Sequence, residues 1–167
     1  MQYTSAEAGK LLRKLNEEYQ TLIAKEIKSS VFTAAVGENL EDVRPAYDFA
    51  ETRVKARELQ EKIRRVKHAI NGFNLETTVP GYDMTIDQML VYIPQLSEEK
   101  RLLTDMAGRL PKSRSQVYGN RAIIEYDYAN YDVEEASRAL EGVTDELSKA
   151  QTALDVVNNS KTFEIDI

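Results

Sequence analysis

The chain lacks cysteine and tryptophan, and it has a single histidine among 167 residues. Without cysteine the protein can form no disulfide framework, no thiolate nucleophile and no zinc finger. A metal site or a catalytic triad that needs histidine would have to use His68, but the residues one helical turn away are Arg64 and Gly72, which do not bind metal ions. We therefore expect His68 to be a surface residue near the end of a helix, and we expect no cofactor.

Long hydrophobic runs are also missing. No stretch approaches the roughly 18 apolar residues that a membrane-spanning helix needs, and residues 1–5 have neither the basic segment nor the apolar run of a signal peptide. The formal net charge of −6 opposes nonspecific binding to nucleic acid or to an anionic membrane, because both are negatively charged. We interpret the chain as a soluble, cytoplasmic protein with one domain, residues 1–167.

Proline and glycine are scarce, with four and seven residues, which favours a mainly α fold. The sequence does contain heptad patterns, in which apolar residues recur at alternating spacings of three and four, as in coiled coils and helical bundles. The most regular pattern covers residues 132–159, and Asp132 and Glu135 are spaced as a capping box at its start. Its apolar positions are Val133, Ala136, Leu140, Val143, Leu147, Ala150, Leu154 and Val157.

Three further segments carry the same spacing and are predicted to be long helices. They are residues 5–28, residues 45–71 and residues 85–110. Gly72 is predicted to cap the second helix, because glycine adopts the left-handed conformation that ends helices. Pro94 lies inside the third helix, and we expect a kink rather than a break because the heptad register continues across it.

Short segments between the helices have β character. Residues 116–118 and 122–129 are predicted to pair as a β-hairpin around a Gly-Asn turn. Residues 31–36 could join this hairpin. Residues 162–167 alternate with period two, which indicates a strand that pairs either with residues 75–79 or with another subunit.

These elements predict four long helices in an up-down bundle of helical hairpins, with a small β-hairpin inserted near residues 115–130 and a C-terminal strand. Heptad seams on all helices, together with an unpaired terminal strand edge, indicate a homo-oligomer. If Ile165 and Ile167 lie in an intersubunit sheet, deletion of residues 162–167 should lower the oligomeric state.

Tyrosines cluster on and beside the predicted hairpin. Bases of nucleic acid could stack on such rings, but Glu125 and Asp127 alternate with them and would repel phosphate. Tyrosine is also favoured at protein interfaces, and this is our interpretation. The interface candidates are Tyr118, Tyr126, Tyr128, Tyr131, Phe163, Ile165 and Ile167.

Charged residues suggest two weaker alternatives. Five acidic residues at 125, 127, 132, 134 and 135 could bind a hard cation, but they lack EF-hand spacing and are better explained as a solvated strand face and helix caps. The second helix has a basic face that could contact RNA. However, acidic residues four positions away indicate intrahelical pairs instead. The RNA-contact candidates are Arg53, Arg57, Arg64, Arg65 and Lys67.

Four short stretches carry a resemblance to a known family. They are Ile70-Asn71, residues 85–90, residues 151–158 and Thr162-Phe163-Glu164. These stretches occur along residues 5–165 in an order that resembles a septicolysin-like family of small bacterial and phage-associated proteins. The resemblance implies long helical hairpins and supplies no catalytic residues. The family name implies a cytolysin, so membrane activity is kept as an alternative hypothesis.

The sequence contains none of the common nucleotide-binding, hydrolase or metalloprotease motifs. The leading hypothesis is therefore a non-enzymatic, homo-oligomeric helical protein that acts through protein–protein interfaces with itself or with another protein. RNA binding by the second helix is the alternative from a different class.

Overall fold

The computed structural model describes residues 1–115 and 124–167, and helix dominates both ranges. The helices in these ranges are α1 (Ser5–Ser29), α2 (Leu40–Val43), α3 (Phe49–Glu76), α4 (Ile86–Ala107) and α5 (Val133–Ser160). The strands there are β1 (Gln2–Thr4), β2 (Lys112–Arg114), β3 (Tyr126–Tyr128) and β4 (Thr162–Glu164). The predicted class, mainly α with four long helices, a small β-hairpin and a C-terminal strand, is confirmed.

Side chains cap the starts of three long helices, α1, α4 and α5. The Thr4 hydroxyl accepts a hydrogen bond from the Glu7 N–H at 3.2 Å, and the Glu7 carboxylate accepts one from the Thr4 N–H at 2.8 Å. Thr85 and Gln88 form the same reciprocal pair at the start of α4. The Asp132 carboxylate accepts from the backbone of the first turn of α5 at 2.8 Å. These bonds satisfy N–H groups that have no partner within the helix.

The bounds of the second long helix were predicted less well. It begins at Phe49 rather than near residue 45, because the Asp48 carboxylate accepts from the Glu51 N–H at 2.9 Å and fixes the first turn there. It also continues through Gly72 to Glu76, so the predicted cap at Gly72 is wrong. Pro94, in contrast, lies inside a continuous α4, as predicted.

The chain divides into two compact units, and the first combines both chain ends, Met1–Glu76 and Val157–Ile167. We call it the terminal unit. Its helices α1 and α3 are antiparallel. Glu26 of α1 pairs with Arg53 of α3, whereas Tyr19, about two turns earlier on α1, bonds to Gln60, about two turns later on α3. The expectation of a single domain is not decided by this division and stays a prediction. The buried core of the terminal unit contains Ala8, Leu15, Val66 and Ile165.

Strand β4 completes the terminal unit by pairing antiparallel with β1, with Tyr3 opposite Phe163. The Ile165 N–H donates to the Met1 carbonyl at 2.9 Å, and the Met1 amino group donates to the Ile165 carbonyl at 3.0 Å. The expected pairing with residues 75–79 or with another subunit is therefore wrong. The partner is the three-residue strand that leads into α1, which is too short to show a period-two pattern.

The prediction of a strand at residues 31–36 is also wrong. These residues lie outside any helix or strand, and Gly37 then turns the chain with a φ of +90°. A left-handed backbone is readily adopted by glycine because it has no Cβ. The segment therefore leaves α1 as an irregular connection and does not extend alongside another strand.

The second unit, Thr77–Val156, is the central unit, and it contains α4, the β2–β3 pair and most of α5. Its helices are antiparallel, since the Tyr131 hydroxyl donates to the Met106 carbonyl and the Tyr92 hydroxyl donates to Glu146. The predicted α5 seam is confirmed. Its positions in this unit are all buried or half-buried: Val133, Ala136, Leu140, Val143, Leu147, Ala150 and Leu154.

The hairpin prediction is confirmed in one arm, and the strand that pairs with this arm in the described residues lies before the predicted first arm. Strand β3, Tyr126–Tyr128, lies within the predicted arm, residues 122–129. Its partner is β2, Lys112–Arg114, which precedes the predicted arm at residues 116–118. That arm and the predicted turn lie outside the described residues. The pattern found the strand with alternating apolar residues, but its partner, Lys-Ser-Arg, has no apolar residue to reveal it.

The terminal unit predicts a sharp contrast between two neighbouring isoleucines. Ile165 is 1% exposed, whereas Ile167 is 43% exposed on the same segment. Ile165→Ala should lower the free energy of unfolding by about 2–5 kcal/mol, because it removes buried methyl groups and leaves a cavity. Ile167→Ala, the matched control, should change it by about 0.5 kcal/mol or less. Equal effects of both substitutions in urea unfolding would contradict this arrangement of the terminal segment.

Candidate functional site

The two faces of the β2–β3 pair carry different kinds of side chain. Lys112 lies opposite Tyr128, Ser113 opposite Asp127, and Arg114 opposite Tyr126. Residues directly opposite each other share one face of a sheet, and neighbours along a strand alternate between faces. One face therefore carries Lys112, Arg114, Tyr126 and Tyr128, and we call it the aromatic–cationic face.

The two rings of this face are exposed and lie beside a positive charge. Tyr126 is 47% exposed and Tyr128 is 65% exposed. The Lys112 ammonium lies 4.1 Å from the centre of the Tyr126 ring and 5.3 Å from that of Tyr128, which is cation–π geometry. The acidic Asp127 belongs to the opposite face. The rings thus have cationic neighbours on their own face, in addition to the acidic residues that alternate with them along the strand.

The other two tyrosine candidates do not share this face. Tyr131 is half-buried, and its hydroxyl donates to the Met106 carbonyl at 2.8 Å, in the last turn of α4. The Met106 carbonyl also accepts a hydrogen bond from the Arg109 N–H at 3.2 Å, so the bond from Tyr131 is a second one at the C-terminus of α4. Tyr118 lies outside the described residues.

The terminal candidates are mostly turned inward. Phe163 is half-buried and stacks on Phe73 with ring centres 4.4 Å apart, and Ile165 is buried. Ile167 remains at the surface. Of the three candidates in this segment, the fold therefore presents only Ile167 for contact with another molecule.

The basic residues of α3 are partly paired within the chain. Arg53 pairs with Glu26, a residue that the sequence reading did not single out, and Glu26 also accepts from the Tyr47 hydroxyl at 2.9 Å. Arg65 lies 2.6 Å from Glu61 and 3.8 Å from Asp166. The remaining RNA-contact candidates, all exposed, are Arg57, Arg64 and Lys67. RNA binding through this helix stays a prediction.

The structure also places the residues that were considered for metal binding. His68 is exposed on α3, as expected. Asp132 caps α5, in line with the structural interpretation of the acidic cluster. Within residues 1–115 and 124–167, no group of three or more histidine and acidic side chains is placed to hold a metal ion. No helix in these ranges is both long and apolar enough to cross a membrane.

Helix α4 has a second apolar surface that the heptad pattern did not reveal. Leu90, Val91 and Leu102 are 49%, 57% and 49% exposed, and they lie off the buried seam of this helix. They line a shallow depression together with Pro94 and several polar residues. We call this surface the α4 outer face; its residues are Leu90, Val91, Pro94, Gln95, Glu98, Glu99 and Leu102.

A third group of exposed apolar residues lies where α1 connects to α3. The heptad spacing within residues 45–71 starts at Phe49 and predicts that this side chain is buried, but it is 65% exposed, so that prediction is wrong. Phe49 is the first residue of α3, so it lies at the very end of the helix rather than along its packed length. We call this group the α1–α3 junction; its residues are Ile27, Val31, Val36, Leu40 and Phe49.

Two tyrosines of the central unit converge on one carboxylate. The Tyr92 hydroxyl donates to Glu146 at 3.3 Å, and the Tyr82 ring lies 6.4 Å from the Tyr92 ring. Burial is the largest cause that raises the pKa of Tyr82, and the hydrogen bond to Glu146 is the second. Burial is also the largest cause that raises the pKa of Tyr92, and the charge of Glu146 is the second. The cluster attaches the segment before α4 to the helix pair.

Comparison with known proteins supports the fold. No protein-family model and no curated protein sequence matches the chain. A crystal structure of a functionally unknown conserved protein from Corynebacterium diphtheriae is similar over 98% of this chain and 100% of its own, with a TM-score of 0.66 and 21% identity. At this identity the similarity shows a shared fold and transfers no activity.

The raised tyrosine pKa values predict a loss of stability at high pH. In the unfolded chain both tyrosines ionise near pH 10, whereas in the folded protein they remain neutral to higher pH. Their contribution to stability is therefore present below about pH 10 and is lost as pH rises through the folded pKa values. Tyrosinate absorbance should show a late-ionising group in the folded protein.

The matched variant is Tyr82→Phe with Tyr92→Phe. It should abolish the late phase of the absorbance titration and flatten the decline of stability above about pH 10. If the late phase persists in this variant, the late-ionising tyrosines are different ones.

Proposed function

We propose that this protein is a non-enzymatic, homo-oligomeric helical protein that acts through protein–protein interfaces. The observation that carries the proposal is the grouping of its exposed large apolar side chains. Isolated exposed apolar residues are ordinary, but contiguous groups mark interaction surfaces. Here most of them fall within three stretches of the chain: the α1–α3 junction, the α4 outer face, and the residues in and beside the β2–β3 pair, which we call the hairpin group.

The composition of the hairpin group supports an interface. Leu110, Ile124, Tyr126 and Tyr128 are all exposed large side chains of this group. Tyrosine and arginine are enriched at the centres of protein interfaces, because each combines a large contact area with hydrogen-bonding capacity. The neighbouring Arg114 adds the second of these residue types.

The electrostatics of the acidic side chains support a structural rather than a catalytic role. Hydrogen bonds from Thr4 lower the pKa of Glu7, and a hydrogen bond from Arg101 lowers the pKa of Glu98. Each group is a helix cap or an intrahelical pair on the surface. Catalytic carboxyl groups are instead typically shifted by burial or by like charges in a cleft.

Light-scattering mass on a size-exclusion column tests the proposal. The monomer mass is 19.0 kDa, and we expect a discrete multiple of it at micromolar concentration. A mass of one monomer at every concentration would contradict homo-oligomerisation.

Single substitutions in the three groups test the surface argument. Val31→Ser, Leu90→Ser and Tyr128→Ser each remove an exposed apolar side chain from one group. Val156→Ser is the matched control, because Val156 is 58% exposed on α5 and belongs to none of the three groups. At least one of the three should reduce the oligomeric mass while the control leaves it unchanged. Four unchanged masses would contradict the role assigned to the grouped apolar residues.

A further inference from the structure

Two exposed surfaces of the central unit are complementary to each other. One is the aromatic–cationic face of the β2–β3 pair, and the other is the α4 outer face. We propose that the aromatic–cationic face of one copy of this chain docks on the α4 outer face of a second copy. This inference rests on the proposed function and specifies the surfaces and the partner.

Charge is the first reason for pairing these surfaces. The aromatic–cationic face contributes the positive charges of Lys112 and Arg114. The exposed charges on and beside the α4 outer face are predominantly negative: Asp87, Glu98, Glu99 and Asp105 outnumber Arg101. Surfaces of opposite charge steer partners together and fix the register of docking.

Apolar contact is the second reason. Tyr126 and Tyr128 offer rings that are 47% and 65% exposed, and α4 offers Leu90, Val91 and Leu102 at about half exposure. Burial of a tyrosine ring against aliphatic side chains removes apolar area from water on both partners. The cation–π contact with Lys112 holds the rings in place beforehand, which reduces the entropy lost on docking.

The dimensions of the two surfaces also agree. A strand of three residues is about 10 Å long. The stretch of α4 from Leu90 to Leu102 is about 18 Å long. The sheet face is therefore shorter than the apolar stretch of α4 and can lie along it.

The same chain cannot satisfy its own surfaces in this fold. Tyr128 and Val91 are 65% and 57% exposed in the single chain, although both belong to the central unit. A nucleic acid is the other occupant that a cationic, aromatic face could take. A second copy is favoured because the formal net charge of −6 opposes binding to nucleic acid, whereas the α4 outer face supplies aliphatic side chains and negative charges that match this face.

Charge reversal of each surface tests the docking. Two double variants are made separately: Lys112→Glu with Arg114→Glu, and Glu98→Lys with Glu99→Lys. Each should weaken the apparent affinity of self-association at least tenfold, which is measured as a lower oligomeric mass at the same protein concentration. Mixing the two variants in equal amounts should restore assembly, because each variant retains the surface that the other has reversed. Restoration on mixing cannot arise from misfolding of either variant.

Matched controls reverse the same number of charges on α5. Arg138→Glu with Lys149→Glu equals the first variant in net charge, and Glu141→Lys with Asp145→Lys equals the second; all four residues are exposed. Glu98 is hydrogen-bonded to Arg101 at 2.6 Å. Glu99→Lys alone leaves that pair intact and should weaken assembly in the same direction.

The outcomes separate this inference from the proposed function. A wild-type protein that is monomeric at every concentration overturns both. If the wild-type protein is oligomeric, and the charge-reversed variants change the oligomeric mass no more than the controls do, only the docking inference is overturned. Binding of a single-stranded oligouridine that is lost in the Lys112→Glu, Arg114→Glu variant overturns it in favour of nucleic acid.

Discussion

The fold of the terminal unit depends on the pairing of the two chain ends. Helices α1 and α3 form one antiparallel layer, and a pair of helices leaves part of each apolar stripe uncovered. Ile165 fills this space, where it joins Ala8, Leu15 and Val66 in the buried core. Pairing of β4 with β1 fixes its position, since Ile165 exchanges backbone hydrogen bonds with Met1. The ends of the chain are thus structural parts of the core.

The long helices could be predicted because their signals are local. Thr4 and Thr85 mark helix starts by capping, and the α5 seam repeats over many turns, so a single exception would not obscure it. The pairing of the terminal strand was predicted wrongly because its partner is distant in sequence. Strand β1 is three residues long, and the residue that it pairs with Phe163 is 160 positions away. No local pattern specifies such a pairing.

The candidate surfaces were accessible to sequence reasoning only in part. The tyrosines were visible as a group, but their electrostatic surroundings depend on strand register. With β2 at Lys112–Arg114, cations lie opposite Tyr126 and Tyr128; a shift of one residue would place Ser113 opposite a ring instead. The α4 outer face was missed for another reason. A heptad reading assigns apolar residues to the buried seam and gives no meaning to Leu90 and Val91, which lie outside it.

Self-association of an acidic chain has to overcome its own charge. The net charge of −6 repels a second copy, but at physiological ionic strength charges separated by more than about 8 Å are largely screened. Contact between copies is therefore governed by the few charges at the interface. The face with Lys112 and Arg114 carries a sign opposite to that of the net charge. In the proposed docking this face meets the acidic, apolar α4 outer face, so the local contact is attractive although the two copies repel each other at longer range.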